Sequence, residues 1–172
     1  MSTAHCDRVR QFMQRANQAT PNQPCLPNSE VRLLRAKLIL EECLETIHAL
    51  GFDLNILVPK DGLMLRQTGR PVNLVEIADG CADVSVVAIG TLIACGIDDE
   101  PILELVDETN LEKFGEGSYA REDGKWIKPR DWKPPKIATE LVQQGLDTKI
   151  YSIVAEESYR EQGTTKSVGP TD

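Results

Sequence analysis

The sequence predicts a predominantly helical domain whose two longest helices lie antiparallel and both present carboxylates. Three observations carry that expectation. Residues 29–50 and 73–96 are long runs with apolar side chains at helical spacing, closed by Gly51 and Gly96. Acidic residues cluster on one side of each run. The length of 172 residues is enough for a single domain to bury a sizeable core.

From the start, Asp7 to Ala19 sets Val9, Phe12, Met13 and Ala16 on one narrow stripe, a first helix that Pro21, Pro24 and Pro27 then interrupt. Ser29 is the expected N-cap of the second helix, with Glu30 in its first turn. Its apolar positions, Val31, Leu34, Leu38, Leu40, Leu44, Ile47 and Leu50, cover more than half the circumference, so it must pack on two sides. Leu54, Ile56 and Val58, then Pro59 to Gly62, then Leu63 and Leu65, predict a short hairpin or an extended flap. Asn73 caps the next helix, with Glu76 at N3 of a capping-box pattern. Asp98 or Asp99 caps a fourth helix with Pro101 in its first turn, and Ile102, Leu103, Leu105, Val106 and Leu111 drive its packing as far as Gly115. Ser118 to Pro135 reads as a loop or hairpin around Asp123 and Gly124, and Lys136 to Gln144 as a last short helix. The expected organisation is one domain over residues 1–146 and a polar, flexible tail over residues 147–172.

Between Asn73 and Gly96, Glu76, Asp79 and Asp83 fall within about 60° of one another at 3.6 residues per turn. Such a stripe repels itself: two unit charges about 4 Å apart at an effective dielectric near 20 cost about 4 kcal/mol. No Lys or Arg lies between Arg70 and Lys113 to offset it. The other face holds Val75, Ile77, Ala78, Val84, Val87, Ala88, Leu92 and Ile93, too apolar for a surface helix. A partly buried acidic stripe without a local partner points to a divalent metal. In the second helix Glu41, Glu42 and Glu45 share a side; Lys37 can pair with Glu41, whereas Glu42 and Glu45 sit among Leu, Ile and Cys. Four or more oxygens converging between helices suit a hard cation, Mg2+ or Mn2+.

Charge and cysteine usage narrow the class. A net charge of −8 without a compensating basic cluster argues against nucleic acid as a partner. Residues 98–112 hold seven carboxylates, most of them explained by a solvated helix surface. The N-terminus lacks the apolar stretch of a signal peptide, and the run from Val84 to Ile97 is shorter than the roughly 20 residues of a membrane span, so a core helix and a cytoplasmic location are expected. Cys6, Cys25, Cys43, Cys81 and Cys95 form no CxxC pair and read as reduced thiols, with Cys43, Cys81 and Cys95 in the core.

Leu40-Glu41-Glu42-Cys43-Leu44-Glu45, followed by Glu76-Ile77-Ala78-Asp79, resembles the EExxE and ExxD signature of the all-α nucleoside triphosphate pyrophosphohydrolases. That superfamily includes MazG, the dimeric dUTPases and phosphoribosyl-ATP pyrophosphohydrolase. Asn110-Leu111-Glu112-Lys113 resembles the NxxK element of the MazG-like and phosphoribosyl-ATP-like branches, and together the matches span residues 8–137. The resemblance implies an all-α bundle, assembled as a homodimer or homotetramer, that cleaves a nucleoside triphosphate between the α and β phosphates. The products would be a nucleoside monophosphate and pyrophosphate.

By the same resemblance, Glu41, Glu42, Glu45, Glu76 and Asp79 hold one or two Mg2+ ions, with Mn2+ as a substitute. Glu41 would take the proton of the attacking water, with Glu42 beside it in the catalytic set. Asn110 and Lys113 would hold phosphate oxygens, and Lys125 and Lys128 would add charge from the loop. One departure stands out. Relatives place the second acidic pair directly before an apolar run, a register held here by Gly80 and Asp83, so the ligand pair is either Glu76 with Asp79 or Asp79 with Asp83. The chain is longer than the compact phosphoribosyl-ATP branch and has the extra 52–72 segment, which favours a nucleotide-pool house-cleaning role.

Other readings are weaker. Glu45-Thr46-Ile47-His48 is an ExxH, but a di-iron bundle needs a second one and the other histidine is His5. There is no GxxxxGK[ST] loop. The main rival is a non-catalytic helical dimer that binds nucleotide or a protein partner through its acidic face. Trp126 and Trp132 are expected to pack the loop against the bundle, and His48 to be structural.

Overall fold

The computed structural model describes residues 2–55, 64–122, 124 and 126–149. The mostly helical order is α1 (Ala4–Arg15), α2 (Ser29–Ala49), β1 (Phe52–Asn55), β2 (Met64–Gln67), α3 (Leu74–Ala94), α4 (Asp99–Leu111), a 3-10 turn (Glu112–Phe114), β3 (Tyr119–Ala120), β4 (Trp126–Ile127) and α5 (Ile137–Gln143). The described residues divide into two compact units. One is built from the chain up to Asp99 without Asn22–Cys25, the other from Asn22–Cys25 and the chain from Glu100 onward.

In the first unit, α3 packs against both α1 and α2. The core lies along the α1–α3 seam, where Cys6, Val9 and Met13 meet Ile89, Ile93 and Ala94, flanked by Val31, Val86 and Leu92. Each helix starts on a side-chain cap. Thr3 accepts from the Cys6 N–H at 3.1 Å, Asn28 from the Val31 N–H at 2.9 Å, and Asn73 from the Val75 N–H at 3.0 Å. The second helix is therefore capped by Asn28 rather than Ser29. After α3 the chain turns at Gly96, whose φ of 67° is the left-handed conformation that favours glycine. The flap is a hairpin with Phe52 opposite Gln67 and Asn55 opposite Met64. Ile56, Val58 and Leu63 lie outside the described residues.

Three contacts fix the register of α2 and α3. A Cβ on Gly90 would come within 2.9 Å of the Arg35 guanidinium, one on Gly80 within 2.6 Å of Thr46 Oγ1, and the strongest charge acting on Glu42 is Asp83. As positions advance from 35 to 42 to 46 along α2, their counterparts retreat from 90 to 83 to 80 along α3, so the long pair is antiparallel.

Several expectations change. The second helix buries one side within the chain: Leu33, Leu34, Leu40 and Leu50 remain exposed. The apolar face of α3 is buried only toward its C-terminal end, and Val75, Ala78 and Ala88 are exposed. Only α3, among the described residues, is long and apolar enough to cross a membrane by length and composition: it runs 21 residues with a mean hydropathy of 1.7 in its most apolar window, longer than the Val84–Ile97 run suggested. Cys81 is exposed and Cys43 and Cys95 half-buried, while Cys6, not expected in the core, is fully buried.

Asp99 is the first residue of α4 and has no exposed surface, although the sequence offered it as a cap among solvated acids. It accepts from the Thr3 N–H at 3.0 Å and the Thr3 hydroxyl at 2.5 Å. Burial opposes its charge, but these bonds and one from the Cys6 thiol outweigh it and hold the carboxyl below its usual range.

The second unit carries the β3–β4 hairpin, with Tyr119 opposite Ile127. Trp126 and Trp132 pack it as expected: their indole N–H groups donate to the Lys113 and Thr109 carbonyls, each at 2.9 Å. Phe114 stacks on Trp126 with ring centroids 4.9 Å apart. The residues beyond Lys149 lie outside the described residues.

Candidate active site

The antiparallel register decides which carboxylates meet. Glu42 and Glu45 on α2 come opposite Asp83 and Asp79 on α3, and a cleft of about 310 Å³ is lined by Glu45, Glu76, Asp79 and Asp83 together with His48 and Arg70. Glu42 is half-buried, whereas Glu41, Glu45, Glu76, Asp79 and Asp83 are exposed, so the stripe lies open rather than partly buried. The crowding is still felt. Burial, then the charges of Asp83, Glu45, Glu41 and Asp79, push the Glu42 carboxyl above its ordinary value.

Glu76 is already engaged: its carboxylate accepts from the Asn73 side-chain amide at 3.0 Å. This is a variant of the capping box, because the side chain rather than the backbone of the cap residue donates. Glu76 is tied to the helix start, while Asp79 and Asp83 lie nearer the glutamates of α2.

Arg70 and His48 were not foreseen in the cleft. Arg70 is the last cation before the long stretch without Lys or Arg, and the turn after β2 brings it to the acids. His48 Nε2 pairs with Asp53 on the hairpin at 3.0 Å, joining the end of α2 to β1.

The donor chemistry fits a hard divalent cation. The cleft offers carboxylate oxygens on two rigid helices, and the like charges around Glu42 are what a cation would relieve. Among the described residues, no group of three His, Cys, Asp or Glu side chains is gathered to hold an ion as it stands. Ligation would require the exposed carboxylates to turn into the cleft.

The remaining expected residues belong to the second unit. Lys113 donates to Asn110 at 2.5 Å. The Lys128 ammonium lies 3.4 Å from the centre of the Trp132 ring, and that of Lys113 5.7 Å from it. One indole therefore gathers Asn110, Lys113 and Lys128; Lys125 lies outside the described residues.

The family model for phosphoribosyl-ATP pyrophosphohydrolase matches residues 9–110. The chain belongs to that family. It is thereby a member of the MazG-like pyrophosphohydrolase superfamily, and its fold is all-α. The match runs from Val9 in α1 to Asn110 in α4 and takes in every acidic residue of the cleft, while Lys113 and Lys128 lie beyond it. No curated protein matches the chain. Membership implies a hydrolase that acts on pyrophosphate bonds of phosphoribosyl-ATP or a related nucleotide, in a family whose members typically depend on a divalent metal.

Proposed function

We propose that this chain is a Mg2+-dependent nucleoside triphosphate pyrophosphohydrolase that cleaves between the α and β phosphates, with a house-cleaning role in the nucleotide pool. The observation that carries this reading is the clustering of Glu42, Glu45, Asp79 and Asp83 at one level of two antiparallel helices, with Glu42 titrating high. In our reading Glu41, Glu42, Glu45, Asp79 and Asp83 hold the ion or ions. Glu76 joins them only by giving up its bond to Asn73. The bound cation supplies charge neutralisation at the phosphates and a more acidic attacking water.

Glu41, exposed at the edge of the cluster, takes the proton from that water. Arg70, in the same cleft, offsets charge on the departing pyrophosphate. Asn110 and Lys113 hold phosphate oxygens, joined by Lys128 and Lys125. We assign the catalytic domain to residues 1–146. We also propose a homodimer or homotetramer in the cytoplasm, acting on neither nucleic acid nor membrane. The exposed Leu33, Leu34, Leu40, Leu74 and Val75 on the two long helices support assembly, since a second copy would remove them from water.

Product analysis tests the reaction. Incubation of nucleoside triphosphates with Mg2+ should give monophosphate and pyrophosphate in equal amounts, and none with chelator. Diphosphate with orthophosphate would overturn the assigned bond, and no turnover of any nucleotide would overturn the proposal and favour a nucleotide-binding dimer.

A further inference from the structure

A second cavity, of about 280 Å³, lies between α1, α2 and α3 and meets the acidic cleft at Asp83. Arg35 and Glu42 both line it, seven residues and about 10 Å of helix rise apart on α2, so the cavity runs from a guanidinium to the carboxylate cluster. Between those ends its walls are apolar, with Met13 and Leu38 among them. That span matches the reach of a nucleoside from the edge of its base to its 5′-phosphate.

Arg35 is the feature that lacks a structural explanation. Only 7% of its surface is exposed, and no carboxylate pairs with it among the described residues. One Nη donates to Gln18 Oε1, while Nε has no partner among the described residues. Burial pulls the guanidinium below its ordinary value, with Cys95 the charge that opposes this. A buried cation with no carboxylate beside it is costly, and apolar replacement of buried charged groups is often neutral or stabilising. Gly90 leaves room for it: a Cβ there would come within 2.9 Å of Nη1. The space against α3 is thus kept clear for a guanidinium whose donors outnumber its acceptors.

We propose that this cavity seats the base of the nucleotide substrate, and that Arg35, steadied by Gln18, selects bases that present a carbonyl over those that present an amino group at the purine C6 or pyrimidine C4 position. The inference rests on the reading of the acidic cleft as the phosphate site. A guanidinium can only donate, so the edge it reads must accept; at the purine C6 or pyrimidine C4 position guanine and hypoxanthine offer O6 beside N7 and uracil offers O4, whereas adenine and cytosine set an amino donor against it. The apolar walls suit a flat ring. Guanine, hypoxanthine and uracil nucleotides are therefore favoured over adenine and cytosine nucleotides.

The test is binding of GMP, UMP, AMP and CMP to the full chain with Mg2+ by calorimetry, alongside Mg2+-dependent pyrophosphate release from the four triphosphates. GMP and UMP should bind about tenfold more tightly than their amino counterparts, and Arg35→Met should erase that difference while the protein melts no lower than the wild type. Gln18→Leu, which leaves the guanidinium in place, should reduce the discrimination partway. Equal binding of all four monophosphates, or discrimination unchanged in Arg35→Met, would overturn the base assignment. Base-selective binding with no pyrophosphate release from any triphosphate would overturn the reaction instead and leave the subsite standing.

Discussion

Gly80 on α3 meets Thr46 on α2: a Cβ on Gly80 would lie 2.6 Å from the Thr46 hydroxyl oxygen and 3.2 Å from its Cα. The hydroxyl has no free direction to yield, because it donates to the Glu42 carbonyl at 2.7 Å. The spacing of the acids thus depends on a missing side chain one residue after Asp79.

Gly80→Ala tests that dependence. A helix-interior alanine gains about 0.5–1 kcal/mol over glycine, but overpacking costs about 1–3 kcal/mol, so the variant should be less stable by about 1–2 kcal/mol. Turnover should fall further than stability does, because the α2 and α3 carboxylates are pushed apart. Thermal melts and kcat on the same preparation separate the two effects.

The raised Glu42 carboxyl gives a pH signature. Its folded value lies above the ordinary one, so the metal-free chain holds that proton more tightly than the unfolded chain, and its contribution to stability is lost as pH rises through the folded value. A cation needs the carboxylate deprotonated, so affinity should move the opposite way, weakening as pH falls through the same range, with proton release on binding. Isothermal titration with Mn2+ in two buffers of different ionisation enthalpy measures both.

How much of this was legible follows from what each residue's signal depends on. The helices ending at Gly51 and Gly96, and the carboxylates of α2 and α3, are written in local spacing, and the structure keeps them. Asp99 is different. It was one of seven acids in a stretch read as solvated surface, and it is buried because Thr3, 96 residues away, supplies its hydrogen bonds. No local pattern carries that. Arg35 looks in sequence like a surface cation beside Arg32 and Lys37, since its burial depends on a glycine in another helix, and Arg70 reaches the cleft only through the turn after the hairpin. The apolar positions of α2 predict packing on two sides, but Leu34, Leu40 and Leu50 are exposed, because the pattern counts apolar side chains without saying what covers them.

The Thr3–Cys6–Asp99 cluster should act as a clasp on the first helix. Asp99→Ala strands donors at Thr3 and Cys6 and should cost about 2–3 kcal/mol. Because the folded carboxyl titrates below its usual range, its contribution is present above the ordinary value and lost as pH falls through the folded one, so wild type and variant should converge in stability in acid. Burial and the Asp99 charge raise the Cys6 thiol to about 11. At pH 8 a thiol reagent should therefore modify the exposed Cys25 and Cys81 first and leave Cys6 intact until the chain unfolds.

Trp132 holds two of the proposed phosphate ligands from one ring. Trp132→Leu removes the Lys128 and Lys113 contacts and the bond to Thr109. Each exposed cation–π contact is worth about 0.5–1 kcal/mol, so KM for the nucleotide should rise several-fold with a smaller change in kcat. Equal loss in both constants would place Trp132 in the chemical step.

The most direct measurement is pyrophosphate release by Glu42→Gln and Asp79→Asn beside the wild type, with Mg2+ and with chelator, and with helix content read by circular dichroism on the same samples. Both variants keep the size and shape of the side chain while removing its charge, so the account predicts unchanged helicity and turnover lowered by a factor of about 100 or more. Metal-dependent release at wild-type rates in both variants would contradict it, because the chemistry would then lie outside the acidic face of α2 and α3.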